Sequence, residues 1–264
     1  MTQAKTTVAE KKETAVATND LASMFVADAS GGLQNVETED LALPFLKIIS
    51  KLDPILDERD DVKAGDIINT VTNDIVKGKT GIKVVPCFFQ AKYIRWSPRG
   101  SGTGAPVAIY DRNDPAMPEV KRDPNDNREY VQDGSGDYIE QTAQWYVKYI
   151  PVKGGATNAL IALKMSQLKK SKKWLSIIMS QEMDTPTGKV QKPMFSQIYS
   201  LKTVSEENSK GSWHGWEMSL DKEIDDINLY KSCKSFSESI EKGEVKVKHT
   251  QDGQETTESD DVPF

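Results

Sequence analysis

The stretch from Ile82 to Trp96 constrains the fold more than any other part of the sequence. It is dense in β-branched and aromatic residues, which favour a pleated, half-buried strand over a helix. Pro86 lies inside this stretch and cannot donate a hydrogen bond to a neighbouring strand. We therefore predict one long strand from Ile82 to Trp96 that bends at Pro86, and a fold that is mainly β.

Shorter β patterns lie on both sides of that strand, and turn signals such as Gly154-Gly155 predict that neighbours pair as hairpins. The other predicted strands are Ile67 to Val71, Ile75 to Val76, Tyr138 to Val152, Asn158 to Met165, Met194 to Val204 and Trp213 to Leu220. Residues 97 to 136 are rich in proline, glycine, aspartate and asparagine. Apart from Val107 to Tyr110, they are predicted to form an extended loop.

Two amphipathic patterns predict helices in the second half of the chain. Ser166 stands where an N-cap is expected, and apolar residues such as Leu168 and Ile178 follow at helical spacing to about Met183. Lysines occupy the other face of this helix. The pattern from Ile224 to Ile240 predicts a second helix that closes the domain.

This order of elements predicts an α+β fold that is mainly β, in the form of an OB-fold-like closed β-barrel with a helix after the third main strand. We expect a flexible N-terminal segment over 1–40, with one short helix around its apolar patch. The OB-like domain is predicted over 41–243. A disordered acidic C-terminal tail is predicted over 244–264, because this part is too polar to pack.

The net charge of −6 conceals an uneven distribution of charge along the chain. Residues 252–264 carry five carboxylates and no basic residue. Residues 145–202 carry ten lysines against Glu182 and Asp184, which is a local net charge of +8. A basic centre combined with an acidic tail is compatible with a nucleic-acid partner, whereas the total charge alone argues against one.

Basic and aromatic residues are interleaved in four segments of the chain, the fourth of which contains Trp213, His214 and Trp216. A protein that grips single strands without reading sequence needs cations for phosphates and exposed rings on which bases stack. The predicted single-stranded DNA contacts are Lys92, Tyr93, Arg95, Trp96, Arg99, Trp145, Tyr146, Lys148, Tyr149, Lys169, Lys170, Lys172 and Lys173. Because side chains alternate along a strand, at most about half of the strand residues can line one surface. For any single ring, and above all for Trp174 on its helix, a place in the core is the commoner role.

The last five residues are Asp260, Asp261, Val262, Pro263 and Phe264, and they are predicted to dock partner proteins. A partner can accept the Phe264 ring in an apolar pocket while its basic residues hold the nearby carboxylates. The alternative is a solubilising tail that happens to end in phenylalanine.

This ending resembles the Asp-Asp-Ile-Pro-Phe terminus of bacterial single-stranded DNA-binding proteins, and the T7-type phage single-stranded DNA-binding proteins similarly end in an acidic tail with a terminal phenylalanine. The segment from Leu43 to Trp96 also looks like phage replication-region proteins. The resemblance implies a phage protein that recruits a polymerase, helicase or primase. The chain lacks the long Gln/Gly-rich linker of the bacterial family, so tetramerisation is not carried over.

The sequence therefore predicts a non-enzymatic protein, without cofactor or metal, that binds and protects single-stranded DNA during replication, recombination or repair. We expect the protein to bind single-stranded DNA with little sequence preference. The sequence shows no export signal, so we expect a cytoplasmic location. Cys87 and Cys233 are predicted to be buried, reduced thiols. The alternatives are a strand-annealing recombination protein, a metal-dependent nuclease using acidic clusters at 57–61 and 221–226, and a phage structural protein.

Overall fold

The computed structural model describes residues 21–37, 40–101, 103–209, 211–247 and 249. These residues belong to two compact units, Met1–Leu41 and Ala42–Phe264. The described part of the first unit contains a helical segment over 21–27 (α1), in the region where a short helix was predicted. Its apolar side chains, among them Met24 and Phe25, are exposed.

The second unit is an antiparallel β structure with three further helices. Its helices are α2 (Ile55–Glu58), α3 (Leu168–Met179) and α4 (Ile227–Glu241). Its strands are β1 (Leu46–Ile48), β2 (Ile67–Asn69), β3 (Ile75–Val76), β4 (Ile82–Trp96), β5 (Ala108–Asp111), β6 (Val120–Arg122), β7 (Glu129–Val131), β8 (Tyr138–Ile150), β9 (Thr157–Lys164), β10 (Glu182–Thr185), β11 (Gly188–Gln191), β12 (Gln197–Asn208) and β13 (Gly211–Glu223). No helix within the described ranges is long and apolar enough to cross a membrane.

The long strands β4 and β8 form the centre of the main sheet. They pair antiparallel from Lys83 opposite Ile150 to Trp96 opposite Tyr138. The predicted strand from Ile82 to Trp96 is confirmed, and the register shifts directly after Pro86, where a bend was expected. The predicted hairpins β2–β3 and β8–β9 are also present.

The main sheet has the strand order β13-β12-β4-β8-β7-β6, with β5 paired to β4 and β9 paired to β8. It curls into an open half-barrel, so the prediction of a closed barrel is wrong. The reason is visible along β8, where Trp145 and Tyr146 point to opposite faces and both are buried. A small barrel has one packed interior, whereas this sheet has a helix and a core on each face.

The first core lies between the sheet and α3. Trp174 of α3 stacks on Trp145 of β8 with ring centroids 4.1 Å apart and an angle of 22° between the planes. The Trp145 indole Nε1 also donates to Ser171 Oγ on the same helix, at 2.9 Å. Tyr199 of β12 meets the Trp174 ring edge-on at 5.6 Å. These contacts fix which face of α3 points inward.

The second core lies between the opposite face of the sheet and α4. It includes Tyr146, Leu160, Cys233 and Phe236. The α4 helix begins at Asp226, whose side chain accepts hydrogen bonds from the backbone N–H groups of Asn228 and Leu229. Both cysteines are free and buried, as predicted.

Local structure departs from the sequence prediction in two places. The segment 97–136 holds three short strands, β5, β6 and β7, where one was expected. The strands β6 and β7, which were not predicted, have three residues each, too few to show a periodic pattern. The α3 helix ends at Met179, before the β10–β11 hairpin, and Ser166 lies in a 3-10 turn without capping it.

We expect Trp174→Ala to lower the free energy of unfolding by about 3–5 kcal/mol, because it removes a fully buried ring and leaves a cavity beside Trp145. Urea denaturation measures this loss. Lys172→Gln, on the exposed side of the same helix, should change it by no more than about 0.5 kcal/mol. Equal effects of the two substitutions would contradict the described packing of α3.

Candidate nucleic-acid interface

Most of the aromatic rings that were predicted to stack on bases are buried in the structure. Trp96 is 3% exposed, Trp145 is 0% exposed and Tyr146 is 2% exposed, so none presents a ring face to solvent. Tyr93 and Tyr149 are half-buried on β4 and β8. The interpretation of these strands as an aromatic-lined groove is therefore corrected: helices and loops cover both faces of the central strands.

Lys148 is also withdrawn from the surface. It is 8% exposed, and its ammonium lies 5.6 Å from the centroid of the Phe236 ring beneath α4. A lysine in this position stabilises the contact between sheet and helix through a cation–π interaction. In this structure it does not offer a phosphate contact.

The basic residues of β4 are held by carboxylates. Lys92 Nζ lies 2.5 Å from Asp111, and Arg95 lies 2.6 Å from both Asp133 and Asp137. Hydrogen bonds from Ser135 and then from Arg95 lower the pKa of Asp133 to about 2. These ion pairs tie the loops around β5 and β7 to the central strand. Of the predicted contacts in this segment, Arg99, in the turn after β4, is exposed.

The lysines of α3 have a different environment. Lys169, Lys172 and Lys173 are exposed and lie opposite the buried side of the helix, which carries Ser171 and Trp174. Their spacing of three and four residues places them on one stripe, which we call the α3 lysine face. Among the described residues, no carboxylate oxygen lies within 4.0 Å of these three ammonium groups. The structure thus brings three predicted contacts together on one cationic surface.

The fourth lysine of α3 points to the side, toward the β12–β13 hairpin. Lys170 Nζ lies 2.5 Å from Glu206 Oε1. The other oxygen of Glu206 accepts hydrogen bonds from Trp213 Nε1 at 2.8 Å and from Gln167 Nε2 at 3.1 Å. Burial opposes ionisation of Glu206, but these donors outweigh it and keep the pKa of this carboxyl below its ordinary value.

Trp213 lies in the fourth of the basic and aromatic segments, although it is not among the individually predicted single-stranded DNA contacts. It is half-buried beside the lysine-bearing helix, while the other four tryptophans are at most 3% exposed. The neighbouring Ser212 accepts a hydrogen bond from Lys51 Nζ at 2.5 Å, which adds a cation to the tip of the hairpin. The sequence contains a signal for this residue: Trp213 follows a polar run over 205–212, where a core residue is not expected.

The described residues that follow α4, up to His249, contact the sheet. Val245 and Val247 pack against the second core, so the predicted disordered tail over 244–264 begins too early. His249 contacts Gln144 through its Nε2 at 2.8 Å and meets the Phe45 ring edge-on at 6.1 Å. The predicted docking residues Asp260, Asp261, Val262, Pro263 and Phe264 lie outside the described residues.

The acidic clusters considered for a nuclease have separate structural positions. Asp61 pairs with Arg59 at 2.9 Å, and Asp225 pairs with Lys222 at 2.7 Å. Asp226 caps α4. Across the part of the chain that the structure describes, no three His, Cys, Asp or Glu side chains converge as a metal site would require.

The structure is a curled antiparallel sheet that is covered by a helix on each face, and one of these helices carries the α3 lysine face. The model of the Pam3 phage gp34-like protein family matches residues 11–246, and the chain belongs to this family of phage proteins. The match ends before the acidic segment 252–264. No curated protein and no solved structure is detectably similar to the chain.

We expect the pKa of His249 to be about 4, because burial and then the charges of Lys164 and Lys92 disfavour the imidazolium form. A lowered histidine pKa stabilises the folded chain above the unfolded pKa of 6.5, and this contribution is lost as the pH falls toward 4. The loss between pH 7 and pH 5 should be on the order of 2 kcal/mol. Denaturation of the wild type and of His249→Gln at both pH values measures it.

In His249→Gln this loss should be absent, so the difference between the two proteins isolates the contribution of the histidine. A His249 ring that titrates near pH 6.5 by NMR would show that the segment 245–249 does not pack on the sheet as described.

Proposed function

We propose that this protein binds single-stranded DNA with little sequence preference through the α3 lysine face and the adjoining Trp213. The observation that carries the proposal is the stripe of Lys169, Lys172 and Lys173, whose charges are not balanced by a neighbouring carboxylate among the described residues. Three free ammonium groups on one rigid helix supply phosphate contacts that do not depend on base sequence.

The position of Trp213 favours a single strand over a duplex. Its indole N–H is held by Glu206, so the ring has a defined orientation at the tip of the β12–β13 hairpin. A base can stack on such a ring only when it is not already stacked on both sides within a duplex. Stacking of one base on an aromatic side chain contributes about 1–3 kcal/mol.

We further propose that the acidic segment 252–264 binds both the α3 lysine face and partner proteins. Its five carboxylates are complementary to the α3 lysine face, and Asp260 to Phe264 form a peptide that a partner can bind. In this proposal the protein acts in the cytoplasm of the infected cell, without catalytic activity. It protects single strands in replication, recombination or repair, and it recruits a polymerase, helicase or primase.

The triple substitution Lys169→Gln, Lys172→Gln and Lys173→Gln should weaken binding to a labelled oligo-dT. It should also reduce the steepness of the dependence of log K on log salt by about 2, since each phosphate contact on a single strand contributes about 0.7. Fluorescence anisotropy over a salt series measures both quantities. Duplex DNA of the same length serves as the reference for strand preference.

The matched control replaces three exposed lysines at α4 by glutamine, Lys231 and Lys234 within the helix and Lys242 at its C-cap, which changes the net charge equally. If both triple variants weaken binding to the same extent, the interface is not on α3.

Bound oligo-dT should also quench tryptophan fluorescence, and Trp213→Phe should abolish the quenching. Quenching that persists without Trp213 would assign the stacking contact to another ring.

Removal of residues 252–264 should tighten binding to oligo-dT, because five carboxylates that compete with phosphates are lost. Phe264→Ala is the matched control, since it alters the proposed docking residue and leaves every carboxylate in place. It should bind DNA as the wild type does. A truncated chain with unchanged or weaker DNA affinity would contradict competition between the acidic segment and DNA.

A further inference from the structure

Glu206 sits at a point where three hydrogen-bond donors from separate parts of the chain converge. Lys170 comes from α3, Gln167 from the turn before it, and Trp213 from the facing strand β13. The Glu206 side chain is 26% exposed, so the contact lies at the surface but is partly shielded from solvent. An ammonium, an amide N–H and an indole N–H are donors of the kind that bind an oxyanion.

The backbone beside this group leaves no spare room. A Cβ atom at Gly215 would lie 2.5 Å from Gln167 Nε2, 2.5 Å from Glu206 Oε2 and 2.8 Å from Lys170 Nζ. Gln167 also accepts a hydrogen bond from the backbone N–H of Trp216 through its Oε1, at 2.9 Å. The amide donor is therefore held in place by the strand, and the anion position is part of the fold.

We propose that Glu206 occupies an anion site of the DNA-binding surface and competes with nucleic-acid phosphate for Lys170. This inference rests on the function proposed above and concerns how that same surface is regulated. Lys170 precedes Lys173 by three residues and follows Lys169 directly, so it adjoins the α3 lysine face. Among the described residues, it is the one lysine of this group whose charge is balanced by a carboxylate.

The two oxygens of Glu206 have separate tasks, which makes the exchange possible. Oε1 faces Lys170, whereas Oε2 accepts the hydrogen bonds from Trp213 and Gln167. Lys170 can turn toward a phosphate while Oε2 continues to hold the indole ring. Glu206 thus limits the affinity for DNA through Oε1, which holds Lys170, and it positions the Trp213 ring through Oε2.

The test compares Glu206→Gln with Glu207→Gln in the full chain. The neighbouring Glu207 is exposed and points to the other side of β12, so its substitution removes the same charge without freeing Lys170. Glu206→Gln should bind oligo-dT up to about five-fold more tightly than Glu207→Gln, the upper range for a surface ion pair. Its salt dependence should become steeper by about 0.7, which corresponds to one added phosphate contact.

A double variant tests whether Lys170 is responsible. In Glu206→Gln combined with Lys170→Gln, the additional affinity and the steeper salt dependence should both disappear. Binding of Glu206→Gln that equals binding of Glu207→Gln would overturn the inference. So would a gain that persists without Lys170.

Two single variants test the inference without changing Glu206, in case its substitution disturbs the hairpin. Lys169→Gln should reduce the salt dependence of oligo-dT binding by about 0.7, whereas Lys170→Gln should change it little, because Glu206 already balances Lys170. Equal losses from the two substitutions would show that Lys170 is free to bind phosphate in the wild type, and would overturn the inference.

Inorganic tripolyphosphate separates failure of this inference from failure of the proposed function. If the wild type does not bind oligo-dT, the proposed function fails, together with the role of Glu206 in DNA binding. Tighter binding of tripolyphosphate to Glu206→Gln than to Glu207→Gln would still uphold the anion site itself. Equal tripolyphosphate binding by these two variants would overturn it.

Discussion

The pairing of β4 with β8 is the interaction on which the rest of the structure depends. Both strands are long enough to carry different neighbours along their length, with β12 and β5 on β4 and with β9 and β7 on β8. Because successive side chains of a strand point to opposite faces, the apolar centre of β8 must be covered on both faces of the sheet. The helices α3 and α4 meet this requirement, one on each face.

Because both faces of the sheet are covered, the packing also decides which basic side chains remain free to contact a ligand. Several basic side chains on the strands lie beside carboxylates of adjacent strands and loops, as Arg95 does beside Asp133 and Asp137. In the described part of the chain, no strand adjoins the outer side of α3, because Trp174 anchors the opposite side of the helix in the core. Lys169, Lys172 and Lys173 therefore remain exposed. The α3 lysine face is thus a consequence of how the core is packed. The candidate site lies on α3 and at the tip of the β12–β13 hairpin, and the central strands do not form it.

Local patterns were sufficient for several elements of the fold. The residues from Ile82 to Trp96 form the predicted strand, and the pattern after Ile224 forms a helix that begins at Asp226. Patterns failed for the shortest strands, which have too few residues to show a period. The short strand β7 is defined by its pairing with β6 and β8 rather than by its own composition. The openness of the sheet likewise follows from neighbours and register, which no local segment encodes.

The sequence by itself determined the central strand, the two long helices, the buried thiols and the concentration of lysines before Trp174. Only the tertiary structure decided which rings and cations face solvent. Trp145 and Tyr146 occupy a segment in which both faces are apolar, so alternation alone cannot show that two different helices bury them. The contact between Glu206, Lys170 and Trp213 joins a helix to a hairpin that is distant in sequence. Such a contact depends on packing in three dimensions, because exposure is a property of what covers a side chain and not of the side chain itself.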